Sequence, residues 1–257
     1  MDTTTSADGT TIAYERFGQG PPLVTVVGAF CERTAAQPLA QALASDFTVH
    51  CYDRRGRGDS TNTAPYAPAR ELEDLAAVLA VAGDGAALYG HSSGAVLALL
   101  AAADGLPVAK VVAYEPPWSV DAAAERTDLA QRVDAAIADG RPGDAAEMFM
   151  REGPGMPEEV IAGMKAGPGW AYFEKLGSTV GYDLAIVGDE GVPTARLAQI
   201  TVPALVVAGG ASAAWARDTV AVVADAIPGG EQMTVDGQDH NVDQELLAKL
   251  IRPFLAP

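Results

Sequence analysis

Short apolar runs rich in β-branched and aromatic side chains recur at residues 11–17, 23–27, 47–52, 86–89, 109–114, 204–208 and 232–235. Such runs fit strands, because a branched side chain packs well on a pleated, half-buried surface. Between many of them, at 34–44, 71–82, 94–103, 214–226 and 242–254, apolar positions return every three or four residues, the spacing of a helix with a buried face. Alternating strand and helix predict a mostly parallel sheet with helices on both faces, since parallel strands need long crossovers. Near the start, Ala7, Asp8 and Gly9 make a tight turn ahead of the run at 11–17, so an antiparallel hairpin is expected at one sheet edge.

The alternation stops between Pro116 and Ile200. Helical periodicity at 121–138, 144–151, 158–165 and 170–176 is punctuated there by Gly140, Pro142-Gly143, Pro154-Gly155 and Pro168-Gly169. The expected organisation is one α/β core built from residues 1–116 and 201–257, with a helical cap inserted at 117–200.

Composition narrows the function. With 49% apolar and 20% charged residues the chain has the mix of an ordinary globular protein. Its 34 acidic against 17 basic side chains leave a net charge of −17, which disfavours nucleic acid and anionic membrane surfaces as partners. The start, Met1-Asp2-Thr3-Thr4-Thr5, lacks a basic and then apolar leader, so a cytoplasmic location is expected. The long uncharged stretch at 85–103 is interrupted by polar and flexible residues and reads as strand, turn and helix, not as a membrane span. Cys31 and Cys51 alone make neither a metal cluster nor a disulfide scaffold and read as reduced, packed thiols. Gly18-Gln19-Gly20 precedes a strand instead of following one, so it is no dinucleotide fingerprint, and no cofactor or metal is expected.

The chemistry concentrates in Gly90-His91-Ser92-Ser93-Gly94, which follows the apolar run at 86–89 and precedes the apolar helix from Ala95. A serine at the tip of a sharp strand-to-helix turn stands clear of the sheet, and glycines on either side avoid clashes with its strained backbone. A serine hydroxyl needs a base, and the base needs a third group to orient it. Of three histidines, His50 lies in a strand, and His91 must turn away from Ser92 and pack under the turn. His240, in a polar loop between the last strand and helix, is the candidate base.

At this point the sequence resembles the α/β-hydrolase family, over essentially the whole chain. Besides the serine turn, Leu23-Val24-Thr25-Val26-Val27-Gly28-Ala29-Phe30 is similar to the family's oxyanion strand and loop. Tyr52-Asp53-Arg54-Arg55-Gly56-Arg57-Gly58-Asp59-Ser60 is similar to the turn after the next strand, and Asp239-His240 takes the place of the catalytic histidine. The resemblance implies an oxyanion hole formed by backbone N–H groups of Ser93 and of Ala29 or Phe30. Val27 stands where a histidine often precedes the glycine. The acid departs from the commonest pattern: Gly209-Gly210-Ala211-Ser212-Ala213-Ala214-Trp215 offers no carboxylate after the strand at 204–208. Some lipases and haloalkane dehalogenases hold the acid one strand earlier, where this chain has Glu115. One helix and one strand separate Glu115 from Ser92, so it returns to the same sheet edge. The lesser alternatives are that Glu115 caps the insertion or pairs with an arginine of the 53–60 turn, or that Asp218 or another downstream acid is the third member.

The expected activity is therefore a serine hydrolase of carboxylic esters or lactones of a small hydrophobic substrate, acting through an acyl-enzyme. Hydrolysis of a carbon–carbon bond, a lyase or cyclase reaction, or non-hydrolytic binding of a small molecule on the same fold are the alternatives. Phe30, Trp118, Met148 and Trp170 are the expected substrate contacts. Phe149, Met156, Met164, Tyr172 and Phe173 are further apolar candidates, any of which also fits the insertion's own core.

Overall fold

A computed structural model describes residues 1–119 and 126–256. The strands are β1 (Asp2–Thr5), β2 (Thr11–Phe17), β3 (Pro22–Val26), β4 (Thr48–Tyr52), β5 (Ala87–His91), β6 (Val111–Tyr114), β7 (Ala204–Gly209) and β8 (Glu231–Val235). They form one sheet in the order β1-β2-β4-β3-β5-β6-β7-β8. The pair β1/β2 is antiparallel, as the tight turn at Asp8 predicts, β2/β4 is antiparallel as well, and every other pair is parallel, as the alternating pattern predicts.

The helices are α1 (Gln37–Leu43), α2 (Pro68–Ala82), α3 (Ser93–Ala103), α4 (Arg126–Ala138), α5 (Pro142–Glu152), α6 (Glu158–Ala166), α7 (Trp170–Gly177), α8 (Val180–Val187), α9 (Thr194–Leu197), α10 (Ala214–Ala226) and α11 (Gln244–Leu255). Successive residues of a strand point to opposite faces. Val24, Leu88 and Val206 accordingly pack with α2, α3 and α10, whereas Leu23, Tyr89 and Val207 pack with α1 and α11. Helix α3 is buried on nearly all sides, which is why its sequence is apolar all round instead of striped.

Helices α4 to α9 all lie between β6 and β7. The start of the expected helix at 121–138 falls outside the described residues. Two helices were not expected. The sequence of α8, Val-Gly-Tyr-Asp-Leu-Ala-Ile-Val, has no polar stripe because it packs against α3, α4 and α2 and because Leu184, Ala185 and Val187 on its less buried side line a cavity. The other, α9, is a single turn, too short for any periodicity to show.

Candidate active site

The carboxyl ends of the parallel strands gather the chemistry. Strand β5 ends at His91, and the chain turns through Ser92 into α3 with φ 56° and ψ −126° at the serine. A non-glycine residue in that region costs about 1–3 kcal/mol and persists only where its surroundings enforce it. The neighbouring glycines explain the enforcement. A Cβ on Gly90 would lie 2.3 Å from the Gly94 carbonyl oxygen, and one on Gly94 would lie 2.2 Å from that of Val26. The Ser92 N–H is spent on the Tyr114 carbonyl at 2.9 Å. Ser93 is the first residue of α3, so its N–H has no carbonyl one turn back to bond. Gly28 lies against the turn, since a Cβ there would come 2.8 Å from Ser92 Cβ.

Glu115 follows β6, and it too has a left-handed backbone, at φ 47°. Its Oε1 accepts from the Gly209 N–H at 2.8 Å and from Ser212 Oγ at 2.5 Å, while its Oε2 lies 2.7 Å from His240 Nδ1. Burial alone would raise its pKa, but these three donors outweigh burial and hold the carboxyl below its usual range. The arginines of the 53–60 turn go elsewhere: Arg54 pairs with Glu71 and Asp183, Arg55 with Asp74 and Asp8, and Arg57 with Asp183. Asp218 is exposed on α10.

His240 lies in the loop between β8 and α11, and two donors from the sheet hold that loop. Tyr114 Oη donates to the Asp239 carbonyl at 2.6 Å, and His91 Nε2 lies 2.9 Å from the His240 carbonyl. A carbonyl only accepts, so His91 carries its proton on Nε2. The His91 ring lies 5.6 Å from that of Tyr114 and 4.6 Å from that of His240. Thus His91 reaches sideways to the neighbouring loop instead of packing under the turn. Burial, reinforced by His240, lowers its pKa to about 4, which keeps the ring neutral.

One cavity of about 850 Å³ is lined by Ala29, Phe30, Ser92, Ser93, Glu115 and His240 together with residues of the insertion. Part of its wall, at Ser93 and Asp183, belongs to a buried ion cluster. Asp183 of α8 accepts from Ser93 Oγ at 2.6 Å, from Arg54 at 2.7 Å and from Arg57 at 2.6 Å. Burial would raise the Asp183 pKa, but the two guanidinium groups and the serine hydroxyl keep it below the usual range.

A family model described as the alpha/beta hydrolase family matches residues 8–248. The chain belongs to the alpha/beta hydrolase family. Among solved structures it is similar to an alpha/beta hydrolase from Sphaerobacter thermophilus, at 47% identity and TM-score 0.92, over 99% of this chain and 100% of the other. It is also similar to an esterase from a Rhodococcus species, at 25% identity and TM-score 0.70, over 99% and 98% of the two chains. An enol-lactonase from Burkholderia xenovorans shares the fold at 19% identity and TM-score 0.75, over 99% of both chains. The expectation of a hydrolase enzyme on this fold is borne out at that level.

The cavity of this alpha/beta hydrolase corrects most of the expected substrate contacts. Phe30 lines it, braced by Phe149 and Phe173 at ring distances of 5.5 and 5.6 Å. Trp118 does not: its indole is fully buried in the core and donates to the Val187 carbonyl at 3.0 Å. Met148 packs against the cluster of Leu129 and Val133 without lining the cavity, whereas its helix neighbours Phe149 and Met150 line it. Trp170 sits outside the lining, against Phe173 and the Lys165 ammonium, and Tyr172 is exposed. Met156, Met164 and Phe173 do line the cavity, as do Met150, Leu184 and Trp215, which the sequence did not single out. Nor did the sequence single out Ser212, Tyr114 or Asp183. For Asp183 a signal existed, a lone charge inside an apolar run, which demands a buried partner. No helix among the described residues is long and apolar enough to cross a membrane.

Proposed function

We propose that this hydrolase cleaves carboxylic esters or lactones of small hydrophobic acids through an acyl-enzyme on Ser92. The observation that carries the reading is the 2.7 Å contact between His240 Nδ1 and a Glu115 carboxylate already fixed by Gly209 and Ser212, in the cavity that holds the strained serine. An ionised carboxylate only accepts, so the His240 proton sits on Nδ1 and Nε2 is left as the base.

His240 takes the Ser92 proton as the oxygen attacks the ester carbon, and Glu115 stabilises the imidazolium that results. The N–H groups of Ala29 and Ser93 receive the oxyanion, helped by the positive end of the α3 dipole. His240 then protonates the departing alcohol, and water, deprotonated by the same imidazole, releases the acid. The apolar lining of Phe30, Phe149, Phe173 and Met156 suits an uncharged acyl chain, and a volume near 850 Å³ suits a small or medium one. Similarity to proteins named as an esterase and as an enol-lactonase supports the same bond class.

The test is exposure to a fluorophosphonate probe followed by peptide mapping, with Ser92→Ala as control, and then hydrolysis of p-nitrophenyl esters of increasing length. A single adduct on Ser92, absent from the control, together with turnover of the short esters is expected. A folded protein that takes up no probe and turns over no ester would overturn the reading.

A further inference from the structure

We propose that Arg57 is a positioning residue that aims one donor of the oxyanion hole, and that Asp183 of the helical insertion holds it in place. The inference rests on the serine-hydrolase reading above and adds to it the residues that shape the hole.

Arg57 is fully buried, and its donors are directed to three partners. Its Nη1 donates to the Gly28 carbonyl at 2.7 Å, its Nη2 to Asp183 Oδ2 at 2.6 Å, and its Nε to Thr179 Oγ1 at 3.1 Å. The Gly28 carbonyl and the Ala29 N–H belong to one peptide unit. In a planar trans peptide they point in opposite directions, so pinning the oxygen fixes where the N–H points. A cation on the carbonyl also polarises the amide and makes its N–H a stronger donor. The Gly28 backbone presses against Ser92 itself, as the 2.8 Å approach of a Cβ built at Gly28 to Ser92 Cβ shows. The peptide that Arg57 grips is thus at the reacting serine.

The second donor is tied to the same cluster. Ser93 supplies the other N–H, and its hydroxyl donates to Asp183 Oδ1 at 2.6 Å while accepting from Arg54 at 3.1 Å. One carboxylate of α8 therefore connects, through Arg57, to the loop carrying Ala29 and, directly, to the turn carrying Ser93. Burying two guanidinium groups and a carboxylate brings little net stability against a well-packed apolar cluster, because desolvation offsets the attraction. Arg54 is already matched by a two-point contact with Glu71 at 2.6 and 2.7 Å. Arg57 has no such carboxylate of its own. It spends an N–H on a backbone carbonyl beside the nucleophile, and that contact gives its burial a purpose in the site.

The experiment compares wild type with Arg57→Met, Arg57→Lys and Thr179→Val, using p-nitrophenyl butyrate for kcat and KM and an aryl trifluoromethyl ketone as a tetrahedral mimic. Loss of one oxyanion donor costs about 10²–10³ in kcat, and a donor that is present but misaimed costs less. Arg57→Met is expected to lower kcat by about 10–100-fold with KM within about twofold, and to weaken the ketone by a similar factor. Arg57→Lys should recover part of both losses. Thr179→Val keeps every charge of the cluster, so it folds even if Arg57→Met does not, and should lower kcat and ketone affinity by a few-fold in step. Cooperative melting of each variant checks the fold. Folded Arg57→Lys and Thr179→Val variants with wild-type kcat and ketone affinity overturn the proposal, as does a loss confined to KM. A wild-type protein that the fluorophosphonate does not label at Ser92 fails at the earlier step and overturns the serine-hydrolase reading instead.

Discussion

Among the described residues, the non-glycine positions with left-handed backbone are Phe30, Ser92 and Glu115, and all three line the same cavity. Strain of about 1–3 kcal/mol at each is held by packing, and it sets side-chain directions that an ordinary strand end would not give. The hydrogen bonds around Glu115 lead to a specific expectation for Glu115→Gln. The Gly209 N–H and Ser212 hydroxyl both donate to Oε1, so the glutamine carbonyl oxygen must stay there and its NH₂ must face His240. His240 Nδ1 then becomes an acceptor, the proton moves to Nε2, and the base is lost. On our proposal kcat falls by up to about 10⁴, the cost of the equivalent wrong-tautomer substitution in serine proteases, while the melting temperature changes little. Steady-state ester kinetics beside calorimetry check this, and turnover within tenfold of wild type would remove Glu115 from the mechanism. Ser92 and His240 were legible as candidates because a glycine-flanked serine and a histidine in a polar loop are local facts, while Glu115 was suggested only by the family resemblance. Ser212 and Tyr114 were not legible, because a hydroxyl gains its role only from the partner that folding brings to it.

Elements were legible wherever burial leaves a period in the sequence. Helix α10 occupies 214–226 and β2 occupies 11–17, the ranges read from the pattern, since each has one face on the core. Helix α8 left no polar stripe because Leu184, Ala185 and Val187 on its less buried side line the cavity, yet it supplies the buried Asp183. The loop between β8 and α11 shows the same limit. Its sequence is polar and reads as free, but Tyr114 from the end of β6 and His91 from the end of β5 hold two of its carbonyls. Tyr114→Phe removes one hold. A hydrogen bond of about 1 kcal/mol translates into a loss of about fivefold in kcat, with KM unchanged if the tyrosine places His240 and does not touch substrate. Equal loss in Tyr114→Phe and in a Tyr114→Phe, His91→Gln double variant would show that the two latches do not act separately.

At the scale of the whole molecule, acid stability follows from groups that folding keeps from protons. His91 is lowered to about 4 from 6.5, and Glu115 and Asp183 lie below their ordinary values. In each case the unfolded chain binds a proton that the folded one does not, so stability is full above the unfolded value and is lost as pH falls. The His91 share is lost between about 6.5 and about 4, and the carboxylate share below about 4. Asp74 and Asp134, raised by burial, act in the opposite sense. Melting temperatures from pH 8 to 3 are expected to fall in these two stages. His91→Gln should shrink the first and leave the share of His50, whose pKa burial also lowers, and a flat profile down to pH 4 would contradict the assignment. The sequence by itself determined the sheet, the hairpin edge and the serine turn, because strand and helix periods and a glycine-flanked serine are properties of neighbouring residues, whereas Glu115 was one candidate among several, suggested by the family resemblance. Only the tertiary structure decided which side chains meet. It turned Trp118, Met148 and Trp170 away from the cavity, joined Glu115 to His240 and Ser212, and carried Asp183 under the serine turn. Those pairings join residues from 69 to 125 positions apart, a span over which no local pattern acts.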